Sequence, residues 1–459
     1  MTEQFDVVVI GAGPAGETVA GRCAVGGLRV AIAERELVGG ECSYWGCIPS
    51  KALLRPGDVV AAARRVPGAA EAITGPIAAY AALARRDRMT SGWDDTGART
   101  WLDERGITLV RGRAQLDGAR TVVVGDRRLE ATRAVVLATG TGAVIPPIPG
   151  LAEARPWDNR DATASKEVPR RLFVLGGGTI GCEMAQAFRR LGADEVVVVE
   201  GADRLLAREE PFAGEEVHAA LDAEGITIIT GVALTEVARV GSGPITATLA
   251  DGRAFETDAL LVAVGRRPST AELGLDSVGL EPGGYVDVDE RLRATQVSGD
   301  WLYAVGDCNG RALLTHMGKY QARIAADVIL GKDAVAVADD DDIVPRVTFT
   351  DPQVCAVGLT ETQARERGLD IRVVRYAIGD VSGGSLLGEG VHGTALLVVD
   401  ESRRVVIGAT FTGPATQELL HSATVAIAGS VTLERLWHAV PSFPTVSEVW
   451  LRLLEEYGL

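Results

Sequence analysis

The sequence predicts an α/β protein with two units built around βαβ motifs and a third, C-terminal domain of α+β character. Three observations carry this. A continuous apolar run, Phe5 to Ile10, leads into a glycine-rich turn and an Ala-rich helical segment, and a second strand-like run follows from Leu28 to Glu34. The succession returns between Arg171 and Glu200, with Leu172 to Leu175 as strand, Gly176 to Gly178 as turn, Ile180 to Leu191 as helix and Val196 to Val199 as strand. Length is the third: 459 residues correspond to about three domains at roughly 150 residues each.

Hydrophobic residues make up 47% and charged residues 24%, with 55 glycines, which suits a globular α/β chain with many tight turns rather than a disordered or fibrous one. The net charge of -16 argues against a nucleic-acid or anionic-membrane partner, since both require a basic face. Met1 to Gln4 are followed directly by a strand-like run, without a basic segment, apolar core and cleavage site in succession, and no apolar stretch approaches the roughly 20 residues that span a bilayer. A cytoplasmic protein with no membrane span is expected. In that compartment six cysteines are not read as structural disulfides, and a close pair points to redox or metal chemistry.

Taken in order, the first strand opens onto Gly11-x-Gly13-x-x-Gly16, whose glycines allow a tight turn, close approach of backbone to a pyrophosphate, and packing of helix on strand. Glu34 ends the next strand, where a carboxylate can accept from a ribose hydroxyl. Pro56 to about Arg88 has helical spacing, and Ala134 to Ala138 is a strand running into Thr139-Gly140. The second glycine turn is Gly176-x-Gly178-x-x-Gly181, with Glu200 as its acidic partner. Two such turns imply two Rossmann-like dinucleotide-binding domains, and the chemical reason to pair them is hydride transfer from a nicotinamide to a flavin. FAD and NAD are the expected cofactors, because Glu200 favours a free 2′-hydroxyl over a 2′-phosphate; Arg204 lies near enough to soften that preference. Strand-like runs at Leu260 to Val264 and Trp301 to Val305 end in Gly265-Arg266-Arg267-Pro268 and Gly306-Asp307. The acidic run Asp339 to Asp342, followed by Pro345, reads as a linker. The expected domains are an FAD-binding domain in two parts, 1–150 and 271–338, an NAD-binding domain, 151–270, and a C-terminal domain, 343–459.

Cys42 and Cys47 flank Ser43-Tyr44-Trp45-Gly46 and precede Ile48-Pro49-Ser50-Lys51. In a regular helix, residues five apart have Cα atoms about 8.5 Å apart, beyond what a disulfide spans. Gly46 and Pro49 permit a local departure that would bring the two together. Two unrelated buried cysteines, or half of a metal site, are the other readings; no second Cys/His pair at ligand spacing follows, so no metal site is expected. Cys23 and Cys182 read as small apolar core residues, and Cys308 and Cys355 as core or turn.

With these residues in view, the whole chain resembles the class I pyridine nucleotide-disulfide oxidoreductases, the group of lipoamide dehydrogenase, glutathione reductase and mercuric reductase. The motifs that carry the resemblance are Gly11 to Gly16, Gly40-Glu41-Cys42 to Lys51, Ala138-Thr139-Gly140, Gly176 to Glu183, Val264 to Pro268, Gly306-Asp307 and Phe443-Pro444-Thr445-Val446-Ser447-Glu448. The resemblance implies that Cys42 is the interchange thiol that meets substrate and Cys47 the charge-transfer thiol nearer the flavin, the two forming a redox-active disulfide. It places Lys51 by the flavin N5 with Glu183 as partner, and Thr179 as the gate of the nicotinamide pocket. Asp307 would hold the ribityl chain, Thr139-Gly140 would form the crossover between domains, and Gly40 and Thr315 would add FAD contacts. Gly265 would add one to NAD. The C-terminal domain would form a homodimer and present Glu448 to the other subunit's disulfide.

Two departures stand out. The family has histidine as general acid/base where this chain has Phe443, and a phenyl ring accepts no proton; His438 is the nearby substitute. Ser43-Tyr44-Trp45 is bulkier than is usual between the cysteines. The chain lacks the C-terminal cysteine pair and the N-terminal metal-binding extension of mercuric reductase. The expected function is therefore an FAD-dependent NADH:disulfide oxidoreductase, similar to dihydrolipoamide dehydrogenase, acting on a small-molecule disulfide or dithiol. The alternative is an NAD(P)H:quinone reductase, a diaphorase that works at the flavin without the thiols.

Overall fold

A computed structural model describes residues 2–241, 243–338 and 341–459. The chain forms two compact units, each assembled from three stretches: Met1–Pro49 with Asp87–Val144 and Gly265–Asp340, and Ser50–Arg86 with Ile145–Val264 and Asp341–Leu459. This partition follows packing density; the domain limits expected above divide the chain by nucleotide-binding function and stay a proposal. Asp339 and Asp340 of the expected linker lie outside the described residues.

The first unit is organised by one sheet. Strand β1 (Thr2–Ile10) lies between β2 (Val30–Glu34) and the long strand Arg127–Leu137, parallel to both. Thr108–Arg111 extends the sheet beyond β2, and Leu302–Ala304 adds a parallel partner to Arg127–Leu137. Val7 to Ile10 and Val30 to Ala33 are buried because parallel strands are covered on both faces, hence the unbroken apolar runs in the sequence. Helix α1 (Pro14–Val25) follows β1, with Pro14 at its first position, where a missing N–H costs nothing. A two-stranded ribbon, Thr141–Ala143 against Arg266–Pro268, was not legible in the sequence.

The helix is broken between the two cysteines, the local departure that Gly46 permits. Helix α2 (Gly40–Tyr44) ends at Trp45, whose φ and ψ of -139° and 0° are not helical, and α3 (Cys47–Arg64) starts two residues later. Pro56 lies inside α3 without ending it.

Among the described residues the second unit holds three sheets. A four-stranded parallel sheet runs in the order Thr227–Thr230, Glu195–Glu200, Arg171–Leu175, Ala259–Val262, and the helix Thr179–Arg190 follows its third member. Leu234–Arg239, Ile245–Leu249 and Ala254–Thr257 form an antiparallel sheet. The C-terminal region is a five-stranded antiparallel sheet ordered Arg346–Thr348, Gln353–Gly358, Val405–Gly413, Thr394–Asp400, Ile371–Ala377. Helix Glu448–Tyr457 packs there because Val449, Trp450, Leu453, Leu454 and Tyr457 share one face and are buried. The fold is thus the expected α/β assembly with an α+β C-terminal part.

Candidate active site

In the first unit the glycine turn after β1 shows why each glycine is needed. Gly11 has φ of +100°, and a Cβ there would come 2.4 Å from the Ala138 carbonyl oxygen; at Gly16 it would come 1.9 Å from that of Gly11. Gly13 differs. Nothing lies within 4 Å of where its Cβ would be, at the extended residue capping α1, so the helix N-terminus is open to a phosphate. Glu34 is buried and receives the Ala12 N–H at 2.8 Å and the Glu36 N–H at 2.7 Å, which orients its carboxylate at the turn with acceptor capacity left for ribose hydroxyls. The residues present fit an adenine dinucleotide.

Cys42 and Cys47 are brought within hydrogen-bond contact by the helix break. The Cys42 thiol is pushed far above the ordinary thiol range, first by its hydrogen bond to Cys47 and second by burial, with Thr315 and Lys319 opposing. Cys47 Sγ lies 3.3 Å from Thr315 Oγ1. Thr315 opens the helix Thr315–Ile329, whose N-terminal partial positive charge favours negative charge on a neighbouring sulfur. Burial likewise raises Cys23, Cys308 and Cys355, each to about 12, and raises Cys182, consistent with inert core residues.

Asp307 belongs to a cluster that sequence reasoning only half identified. The Thr141 hydroxyl donates to Asp307 at 2.7 Å, and Arg266 donates to the Thr141 hydroxyl at 2.7 Å, to its carbonyl at 2.9 Å and to Glu41 at 3.4 Å. Burial raises the Asp307 carboxyl above its ordinary value, with Thr141 and Arg266 opposing. Thr141 was missed; its one signal was adjacency to Thr139-Gly140. Gly265 precedes Arg266 with φ of +143°, and Gly140 has φ of +68°. Gly40, with φ of +58°, packs its α-carbon region against Gly13.

The second unit repeats the nucleotide turn. Gly176 has φ of +110°, a Cβ at Gly181 would come 1.9 Å from the Gly176 carbonyl oxygen, and Gly178 again faces open space. Glu200 receives the Gly177 N–H at 2.6 Å and the Ala202 N–H at 2.8 Å, the same arrangement as Glu34. Arg204 instead donates to the carbonyls of Ala207 at 2.9 Å and Glu209 at 3.4 Å. Lys51 and Glu183 form an ion pair at 2.7 Å, and the buried Glu183 also receives the Phe349 N–H at 2.9 Å. Thr179 Oγ1 lies 2.9 Å from Thr348 Oγ1. Phe349 gave no sequence signal, being 166 residues from Glu183.

Near the C-terminus, Phe443 is 74% exposed. The buried Glu448 receives the Ser382 N–H at 3.2 Å and Arg452 at 2.7 Å, one turn along its own helix. His438 is exposed on the turn after Leu433–Leu436. No group of three or more His, Cys, Asp and Glu among the described residues is arranged to hold a metal, and no described helix is long and apolar enough to cross a membrane.

The family model described as pyridine nucleotide-disulphide oxidoreductase matches residues 5–325, and the dimerisation domain of that family matches residues 344–453. The dihydrolipoyl dehydrogenase of Chlamydia muridarum is 32% identical over 458 residues, covering 98% of this chain and 96% of its own. The mercuric reductase of Staphylococcus aureus is 31% identical over 449 residues, covering 97% and 81%. Among solved structures, the HOCl-induced flavoprotein disulfide reductase RclA from Escherichia coli matches with a TM-score of 0.85 at 26% identity, over 98% of this chain and 99% of that one.

Proposed function

The chain belongs to the pyridine nucleotide-disulphide oxidoreductases, flavoenzymes that use FAD and NAD(P)H, and on that premise we propose that it is an NADH:disulfide oxidoreductase whose redox pair is Cys42 and Cys47. One observation carries the assignment: the helix break sets the two thiols in hydrogen-bond contact, with Cys47 at the start of the helix Thr315–Ile329. FAD, when bound, supplies the two-electron relay between nicotinamide and sulfur. The protein's own share is thiol exchange. Cys42 gives up its proton and attacks the substrate disulfide, and one thiolate leaves; Cys47, likewise deprotonated, then attacks the Cys42 sulfur, the second thiolate leaves, and the Cys42–Cys47 disulfide closes. The two departing thiolates each take up a proton, and electrons from NADH return the pair to dithiol.

The remaining roles follow the same reading. Lys51, paired with Glu183, would lie at the flavin, Asp307 and Thr315 would hold FAD, and Glu34 would take its ribose. Glu200 takes the ribose of NADH, and the engagement of Arg204 with backbone carbonyls supports NADH over NADPH. The active form is a homodimer through the C-terminal region, in the cytoplasm.

A second reading has its own observation. Phe443 leaves the departing thiol without the family's proton donor, and Glu448 is already occupied by Arg452. The enzyme would then pass electrons from flavin to a quinone. Cys42→Ser separates the two: loss of lipoamide reduction supports the thiol assignment. Unchanged quinone reduction, with no disulfide reduction measurable in the unsubstituted protein, would replace it with the diaphorase.

A further inference from the structure

The contact between Lys51 and Phe349 lies outside every role assigned so far. The Lys51 ammonium sits over the Phe349 ring, 4.7 Å from its centroid, while the N–H of the same residue donates to Glu183. One residue therefore touches both members of the ion pair. Its neighbours are tied down on each side. Thr348 meets Thr179, the Asp351 N–H donates to Gln186 at 2.8 Å, and the Asp351 carboxylate binds Arg65 at 2.5 Å and Arg190 at 2.9 Å. Gln186 and Arg190 continue the helix that carries Thr179 and Glu183, and Arg65 follows the end of α3, the helix of Lys51.

The anchoring matters because of what lysine is. Its ammonium is a point charge on a flexible four-carbon stem, and a single carboxylate oxygen does not define where it sits. The side chain is about one-third exposed, so solvated rotamers compete with the paired one. An aromatic face narrows that choice, since its quadrupole attracts the cation from one direction only. Glu183 is 3% exposed and depends on its donors, one of which is the Phe349 backbone.

We propose that Phe349 is a positioning residue of the flavin site, its ring face locating the Lys51 ammonium and its backbone N–H locating the Glu183 carboxylate. The proposal rests on the assignment of Lys51 to the flavin N5. The ring acts through Lys51, not on substrate, and its loss leaves the backbone hydrogen bond in place.

The test uses the FAD-loaded dimer carrying Phe349→Leu, Phe349→Tyr, Lys51→Met and the Leu/Met double variant, with FAD content confirming folding. Two quantities are read: the rate of flavin reduction by NADH, and the rate at which Lys51 is acetylated by acetic anhydride, mapped among the four lysines of the chain. Phe349→Leu is expected to slow flavin reduction about 3- to 30-fold and to speed Lys51 acetylation by a similar factor. Phe349→Tyr keeps the ring face and stays within about twofold of the parent on both counts. In the Lys51→Met background, Phe349→Leu changes flavin reduction less than about twofold. Acetylation of Lys51 unchanged by Phe349→Leu, or equal slowing of flavin reduction with and without Lys51, overturns the proposal. Faster acetylation with flavin reduction indifferent to Lys51→Met overturns instead the placement of Lys51 at the flavin, so the two failures are told apart.

Discussion

Phe443 carries an exposed phenyl ring, and the Glu448 carboxylate is bound to Arg452 and to the Ser382 N–H. On the proposed thiol function, Phe443→His introduces a titratable group at that position, and general acid catalysis is typically worth about 100- to 10,000-fold. We expect Phe443→His to raise disulfide reduction at least tenfold and to leave quinone reduction within twofold, measured with lipoamide and a benzoquinone at saturating NADH. A matched rise in both would show that the substitution acts on the flavin half-reaction. Glu17 offers a second residue-scale prediction. Burial in the first turn of α1 raises its carboxyl from 4.5 to about 7, with Lys319 opposing and Glu34 adding. The native state therefore binds a proton that the unfolded chain releases between those values, and stability falls as pH rises through that window. Glu17→Gln, uncharged throughout, should lose this slope, gaining up to about 3 kcal/mol on the parent between pH 5 and pH 8. Denaturant midpoints at the two pH values measure it, and parallel shifts in both proteins would remove Glu17 as the cause.

Among the elements, the two glycine turns repeat one solution to one problem: backbone must pass close to the start of a helix while leaving its N-terminus open. The third glycine of each turn admits no Cβ, which would come 1.9 Å from a carbonyl oxygen. Gly16→Ala is accordingly expected to yield protein depleted in FAD. Gly181→Ala should keep its FAD, lose at least tenfold in flavin reduction by NADH, and still be reduced by dithionite. Equal FAD loss in both variants would contradict the separate assignment of the turns. This much was legible in sequence because a strand, a glycine turn and a helix are specified over about thirty consecutive residues. The break between α2 and α3 was half legible. Gly46 signalled a departure from the helix, but Pro56, a stronger breaker by composition, sits inside α3. The ribbon Thr141–Ala143 with Arg266–Pro268 left no trace, since each strand is three residues long and its partner is distant in the chain.

For the molecule as a whole, the match of residues 344–453 to a dimerisation domain gives meaning to exposed apolar side chains near the C-terminus: Trp437, Val440 and Phe443 are 38%, 84% and 74% exposed in one chain. Apolar groups clustered in that way mark an association surface. Light scattering should return the mass of two chains. Val440→Asp should raise the dissociation constant at least tenfold, about 1.4 kcal/mol, and a parent protein that is monomeric and active would refute the dimer. The amino-acid order alone was enough for the α/β class, the two glycine turns with Glu34 and Glu200 beside them, and the cysteine pair. Each of these is written in residues adjacent to one another or separated by one supersecondary unit, where hydrophobic period and glycine stereochemistry act directly. Partner choice was decided only in three dimensions. Arg266 rather than Arg267 reaches Thr141 and Glu41, Glu448 takes Arg452, and Phe349 meets both Lys51 and Glu183. Such pairings depend on which side chains packing brings within about 3 Å, and several residues of the same charge stand at equivalent places along the chain.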